Sequence, residues 1–323
     1  IDTMVYVQFL YKLFIATLLG TRLLSSEVYF SLRRAGQDRK LMGETPPVVL
    51  SIAGFDPSSG AGVTADIKTI AAHGCYGVAC ITGMTVQSTT GVRRVEAVDP
   101  GLISDTLEEL VADVSVAAIH IGMLATGQVV RAVVDFLERQ GKSKMPNVVL
   151  DPILKSSSGA DLLDAPGSKL LVGKLIPLAT VLTPNIDEAA VLTGMKVTNL
   201  DEMRAAAAKL HEMGSAAVVI TGGHLDKAID LLSFTSKHGT EQEVFKAERQ
   251  RSNSTHGTGC AFATAIACHL ALDRGLAEAT LLAKTYVTAA IAAGYPLGRG
   301  TGPVHHLYRM NQQRRAATSG SES

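Results

Sequence analysis

Between residues 48 and 223 the chain repeats one alternation: a short, uninterrupted apolar run, then a stretch with helical spacing. The runs are "VVLSIA" (48–53), "YGVACIT" (76–82), "AAIHIG" (117–122), "NVVLDP" (147–152), "ATVLTP" (179–184) and "AAVVITGG" (216–223). A strand with one wet face would alternate polar and apolar residues. Runs that are apolar on both faces must be covered on both sides, which only a mostly parallel, helix-flanked sheet provides. The intervening segments supply the helices. "GAGVTADIKTIAAHG" spaces Val63, Ile67 and Ile70 along one face, and "LISDTLEELVADV" does the same with Leu102, Leu107, Leu110 and Val111. Residues 126–140, 164–175, 185–194 and 200–213 follow the same period. "AIDLLSF" and "QEVFKAERQ" flank "TSKHGTE", which reads as a hairpin and so as an antiparallel edge. Helices over 257–273 and 276–293 close the unit. Residues 45–310 show no repeat and no linker, so one α/β domain is expected there.

Charge excludes some partners. Lys plus Arg equals Asp plus Glu, 30 each, so no overall field draws in nucleic acid or an anionic membrane, and a small molecule is the better partner. Cys75, Cys80, Cys260 and Cys268 form neither a CxxC pair nor a zinc spacing, which fits reduced thiols in a cytoplasm. The apolar segment "VYVQFLYKLFIATLLG" (5–20) carries Gln8 and Lys12 and is short for a membrane span. Residues 1–44 are therefore expected to be a non-core extension, with Met42 just before the first convincing strand; a membrane-surface anchor is the alternative. The polar tail 311–323 is expected to be disordered.

In open parallel sheets ligands bind beyond the carboxyl ends of the strands. The strand-end residues are Gly54 and Asp56, Thr85 and Gln87, Gly122 and Met123, Asp151 and Pro152, Thr183 to Asn185, and Thr221 to His224. Turn chemistry explains the Gly and Pro among them, but not Gln87, Asn185 or His224. "AGFDPSSGAG" (53–62) is neither GxxxxGK[ST] nor GxGxxG; it is a loop that lets a flat ligand lie against backbone. "STHGTGCAFATAIACHL" (254–270) sets glycines at the start of an apolar helix, where unpartnered N–H groups suit an anion. A glycine turn before a core helix, with Cys260 a small hydrophobe, is the plainer alternative.

Taken in order, "SIAGFDPSSGAGVTADIKTIAAHGCYGVACIT", "VQSTTGV", "IGML", "VVLDP", "LTPNIDEAA", "TGGH", "STHGTGCAFATAIA" and "GPVHH" resemble the hydroxymethylpyrimidine/phosphomethylpyrimidine kinases, members of the ribokinase-like superfamily. The resemblance spans about residues 47–308. It implies a ribokinase-like three-layer sandwich and a homodimer. It also implies a magnesium- and ATP-dependent kinase that phosphorylates 4-amino-5-hydroxymethyl-2-methylpyrimidine and then its monophosphate. On that basis Gly257, Thr258, Gly259 and Cys260 form an anion hole for the transferring phosphoryl group. Cys260, its thiol pKa lowered at the helix start, is the base. Gly54, Asp66, Gln87 and Met123 surround the pyrimidine, with Asp66 near the hydroxymethyl group or ordering the first loop. Asn185 and Glu188 line the magnesium–phosphate region through water, and Thr221, Gly223 and Lys155 face the nucleotide; Asn185 could equally be only an N-cap. Two positions depart from the pattern. Ser157 and Thr221 stand where many members carry lysine, which leaves Lys155 as the nearby cation. A pyridoxal kinase and a non-catalytic vitamin-binding module are the competing readings.

Overall fold

A computed structural model describes residues 45–310 except 142–145, 157, 224–227, 249 and 251. The chain divides into two compact units after Thr45, and the unit that begins at Pro46 holds every element below. The expected N-terminal extension and tail, with Met42, Ser157 and His224, lie outside the described residues.

Nine strands form one sheet in the order β3-β2-β1-β4-β5-β6-β7-β8-β9. They are β1 (Val48–Phe55), β2 (Tyr76–Ser88), β3 (Gly91–Ala97), β4 (Val116–Ile121), β5 (Asn147–Leu150), β6 (Val181–Leu182), β7 (Ala217–Gly222), β8 (Ala228–Ser236) and β9 (Gly239–Ala247). β2, β1, β4, β5, β6 and β7 run parallel. Successive residues of the central strands enter opposite cores, which is why these runs are apolar throughout. Leu50, Ile119 and Leu150 pack on one face, with Leu107, Phe136 and Met203 from the helices there. Val49, Ala118 and Val149 pack on the other, against Ala263, Ile266 and Tyr286. This is the expected α/β sandwich.

The helices are α1 (Gly62–Ala72), α2 (Pro100–Asp113), α3 (Gly127–Gln140), α4 (Ala165–Leu170), α5 (Ile186–Thr193), α6 (Leu200–Glu212), α7 (Thr258–Ala271) and α8 (Leu276–Ala292). Side chains cap several of them: Asp99, Thr126, Asp164, Asn185 and Asn199 each accept from a backbone N–H of the first turn. α1, α7 and α8 have no side-chain cap, and α7 differs from the other two in that its N-cap, Gly257, lies in the left-handed region (φ 79°). Every residue from Cys260 to Ala271 is buried, so α7 runs through the core with its N-terminus at the strand ends. No described helix is long and apolar enough to cross a membrane.

The β8–β9 hairpin supplies the expected antiparallel edge, turning at Lys237–His238. A second antiparallel hairpin forms the opposite edge: β2 continues six residues past Thr82 and returns as β3. Apolar continuity ends at Thr82, but beyond Gly83 the strand alternates as a one-sided strand does, with Met84, Val86 and Ser88 exposed and Thr85 and Gln87 half-buried. The expected helix over 164–175 is α-helical only to Leu170. A wider turn over Leu171–Leu175 and a 3-10 turn at Ile176–Leu178 complete it, because Pro177 has no N–H to continue an α-helix.

One buried ion pair ties the last helix to the sheet. Lys284 Nζ on α8 donates to Asp230 Oδ2 at 2.7 Å, and Asp230 Oδ1 accepts from Gly222 N at 3.1 Å. Lys284→Met strands a buried carboxylate and is expected to cost about 3–5 kcal/mol, read as a lower urea midpoint at unchanged slope. Adding Asp230→Leu is expected to restore more than half of the loss.

Candidate active site

The strand order reverses at β1, which has β2 on one side and β4 on the other, so the crevice beyond β1 and β4 is the topological switch point. Gly54 and Met123 meet across it. A side chain at Gly54 would overlap the Met123 thioether, so glycine lets this adaptable apolar group lie against the β1 backbone. Thr82 donates to the Met123 carbonyl and holds that loop to β2.

Asp56 organises the loop that follows β1. Only 3% of it is exposed, and it accepts from Ser58 N at 2.8 Å, Ser58 Oγ at 2.7 Å, Gly60 N at 3.2 Å and Ala61 N at 3.0 Å. His256 Nε2 approaches the same carboxylate at 2.8 Å. Burial works to raise the Asp56 pKa, but the hydrogen bonds from His256 and Ser58 outweigh it and hold the carboxyl below its ordinary value. Lys68 Nζ, on α1, donates to Ser59 O at 2.7 Å and braces that residue in the left-handed region (φ 59°).

Asp56 thereby joins two loops far apart in sequence. Gly257 presses on the first: at φ 79° it is already strained for any side chain, and a Cβ there would overlap the Gly60 carbonyl oxygen. This contact sets the N-terminus of α7 against residues 56–61, with the Gly259 and Cys260 amides in the first turn, where helical N–H groups have no intrahelical partner. Gln87, from the β2–β3 hairpin, completes the wall; its amide nitrogen is placed 3.2 Å from His256 Nε2 and its oxygen 3.1 Å from Thr85 Oγ1.

Carboxylates crowd the other side of Cys260. Asp151, at the end of β5, is pushed up to about 6: burial raises it, His120 opposes, Asp66 raises it again, and a hydrogen bond from the Cys260 thiol lowers it. Burial and then the charge of Asp151 hold Glu188 well above the ordinary carboxylate value. The expectation of a lowered thiol pKa at Cys260 is corrected here. Burial comes first, then the charges of Asp151 and Asp66, and together they push the thiol well above its ordinary value despite a hydrogen bond from the Gly62 amide. The helix start is outweighed by burial and by the carboxylates around the thiol.

Asp66 also differs from its expected contact with substrate. It is fully buried; Oδ2 accepts from Ser51 Oγ at 2.7 Å, Oδ1 accepts from Thr264 Oγ1 at 2.9 Å, and His120 Nδ1 lies 3.2 Å from Oδ2. It therefore ties α1 to β1, β4 and α7 beneath the cleft, the ordering role rather than the contact. Burial works to lower the pKa of His120, but the Asp66 and Asp151 charges prevail and raise it.

Asn185 caps α5 and shares a capping box with Glu188: Oδ1 accepts from Asp187 N and Glu188 N at 2.9 Å each, and Asn185 N donates to Glu188 Oε2 at 2.9 Å. Thr221 N donates to Pro184 O at 2.9 Å, which brings the end of β7 beside Asn185. Gly223 follows, exposed, one residue past β7. Lys155 stands apart from this group. Exposed, it pairs with Asp161 at 3.0 Å in a loop whose Ser158 Oγ accepts from Val92 N on β3 at 3.4 Å, on the hairpin side. His256, Asp56, Asp151 and Lys68 are the residues that sequence reasoning left without a role. Asp56 and Asp151 carried a signal, as acids that close apolar strands.

Comparison with known proteins shows the family. The family model described as phosphomethylpyrimidine kinase matches residues 56–305. The chain is 40% identical over 261 residues to the thiamine biosynthesis bifunctional protein ThiED of Geobacter sulfurreducens, covering 80% of this chain but only 52% of that protein. It is 39% identical over 269 residues to the hydroxymethylpyrimidine/phosphomethylpyrimidine kinase of Streptomyces coelicolor, covering 83% of this chain and 97% of the relative. Among solved structures, an ADP complex of Bacillus subtilis pyridoxal kinase superposes with a TM-score of 0.73 at 33% identity, over 82% of this chain and 99% of the other.

Two outcomes are expected from this geometry. Gly257→Ala displaces the α7 N-terminus from the Gly60 loop, and a loss of about 100-fold in kcat/KM is expected in steady-state assays. For Asp151, the folded pKa of about 6 exceeds the ordinary 3.8, so the native state binds more protons than the unfolded one between those values. Its contribution to stability therefore falls as pH rises through that window, and the penalty is complete above it. Asp151→Asn is expected to stabilise the free protein by on the order of 1–3 kcal/mol at pH 8, measured by urea unfolding, with the gain fading towards pH 4.

Proposed function

Because this chain belongs to the phosphomethylpyrimidine kinase family, we infer that it transfers phosphoryl groups from ATP to 4-amino-5-hydroxymethyl-2-methylpyrimidine and then to the resulting monophosphate, in thiamine biosynthesis. One observation carries the residue assignments. The uncapped start of α7, Gly257 to Cys260, stands between the wall of Gly54, Met123 and Gln87 and the group Asn185, Glu188 and Thr221. Phosphoryl transfer asks chiefly for position and charge stabilisation. Amides at the α7 start would receive the transferring group, with Gln87 addressing the aminopyrimidine edge.

Cys260 lies where the acceptor hydroxyl would lose its proton, and Asp151 accepts from its thiol. As the hydroxyl oxygen attacks phosphorus, its proton passes to Sγ while the thiol proton passes to Asp151. A carboxylate that titrates near 6 is matched to that task at neutral pH. The residues also fit magnesium: Asp151 and Glu188 are carboxylates whose charges act on each other, and oxygen donors suit this ion. Magnesium, when bound, would neutralise charge on the phosphates; Glu188 would hold it, directly or through water, with Asn185 as the cap that fixes the Glu188 carboxylate. Residues 45–310 form the kinase domain in this reading. A homodimer in the cytoplasm is the assembly and place it implies.

The pyridoxal kinase likeness makes pyridoxal the substrate to exclude. Mass spectrometry of products from magnesium-ATP with the pyrimidine, its monophosphate or pyridoxal, offered separately, tests the function. Diphosphate from the first two is expected, and product from pyridoxal alone would overturn the reading. Cys260→Ala is expected to lower kcat for the pyrimidine by about 100-fold with little change in KM, and unchanged kcat would remove Cys260 from proton transfer.

A further inference from the structure

The hydrogen bonds around Gln87 leave its carboxamide only one consistent orientation. Asp56 is an ionised acceptor, so His256 Nε2, 2.8 Å from its Oδ2, must carry the proton between them. That nitrogen then has no lone pair for the Gln87 amide group placed 3.2 Å away. The other end repeats the conflict. Thr85 Oγ1 has one proton, which it donates to the Phe55 carbonyl at 3.0 Å, and so it faces the Gln87 oxygen at 3.1 Å with lone pairs only. Turning the carboxamide by 180° removes both conflicts: the oxygen faces the His256 Nε2 proton and shares it with Asp56 in a three-centre bond, and the nitrogen donates to Thr85. The two ends of an amide are told apart only by such partners.

We propose that His256, with its proton held by Asp56, is a specificity-determining positioning residue that locks the Gln87 oxygen towards the α7 start and the nitrogen towards Thr85, and so decides which way round the pyrimidine lies. The inference rests on the reading above, in which Gln87 faces the aminopyrimidine edge. A carboxamide pairs with that edge through two bonds: its oxygen accepts from the 4-amino group, and its nitrogen donates to the adjacent ring nitrogen. The locked orientation therefore sets the amino group on the His256 side. The 5-hydroxymethyl group, on the carbon next to the amino group and away from that ring nitrogen, then lies further towards Gly257–Cys260, where phosphoryl transfer takes place. The opposite orientation would carry it towards Thr85, away from the anion hole. Gly60 makes room for the device, since any side chain there would overlap the His256 ring.

The test compares this pyrimidine with its 4-oxo analogue, in which the exocyclic atom accepts and the ring nitrogen donates, so that it needs the opposite amide orientation. Wild type is expected to favour the amino substrate by about 100-fold or more in kcat/KM. His256→Ala frees the amide, and kcat/KM for the 4-oxo analogue is expected to rise about ten-fold above wild type while that for the amino substrate falls. A gain on one substrate is something that structural damage does not produce. His256→Phe keeps a ring against Gly60 without the donor and serves the same comparison. Two-bond 1H–15N spectra of histidine-labelled wild type, with His256 assigned by its loss in a variant, are expected to show Nε2 protonated at pH 7. An unprotonated Nε2, or a proportional loss on both substrates in the variants, overturns the proposal. Failure of wild type to phosphorylate the pyrimidine at all overturns the functional reading instead, and this one with it.

Discussion

The Asp56 carboxylate holds the site together. Nearly excluded from water, it would be costly to bury alone, and it is tolerated because five donors converge on it: two from Ser58, the amides of Gly60 and Ala61, and His256. Those donors come from two loops 200 residues apart in sequence. Their convergence seats Gly257 against Gly60, aims the first turn of α7 into the crevice and fixes the ring that faces Gln87. Lys68 adds a brace from below through Ser59. A single ionised group thus turns two flexible glycine loops into a defined cradle.

A second set of buried charges lies behind that cradle and remains imperfectly balanced. Asp66 is satisfied by Ser51, Thr264 and His120. Asp151 and Glu188 accept from the Cys260 thiol and the Asn185 backbone amide, yet each is driven towards its neutral form first by burial. Natural domains confine such frustration to places where a ligand relieves it. Here it sits beside an uncapped helix N-terminus, so one side of the cleft seeks a cation while the other offers amides to an anion. Cys260 stands between them, its thiol kept protonated first by burial and then by the charges of Asp151 and Asp66.

Most of the fold was legible because burial on both faces writes itself into each strand separately. "VVLSIA" and "NVVLDP" need no knowledge of their neighbours to be recognised as central strands. The β2–β3 hairpin escaped because its residues past Thr82 face solvent on one side and lack the continuous apolar signature. In the site, Gly54, Gln87 and Asn185 were visible as polar or glycine residues closing apolar runs, Met123 as the residue after the strand-end Gly122, and Gly257–Cys260 as a glycine turn opening an apolar helix. Lys155 was assigned to the nucleotide through the resemblance, as the lysine two residues before Ser157, and the fold sets it with Asp161 on the hairpin side.

The sequence by itself determined the layered parallel sheet, the strand-end location of the site and the glycine start of α7, since each follows from periodicity or from backbone freedom within a few residues. Only the tertiary structure decided the protonation chemistry. Whether Cys260 carries a lowered or a raised pKa, whether Asp66 touches substrate or lies beneath it, and which way the Gln87 amide turns all depend on charges and partners brought from distant parts of the chain. A local stretch such as "HGTGC" predicts a helix dipole acting on a thiol. Electrostatic energy depends on the exclusion of water and on distance through space, and burial of that thiol, followed by the carboxylates folded against it, reverses the outcome.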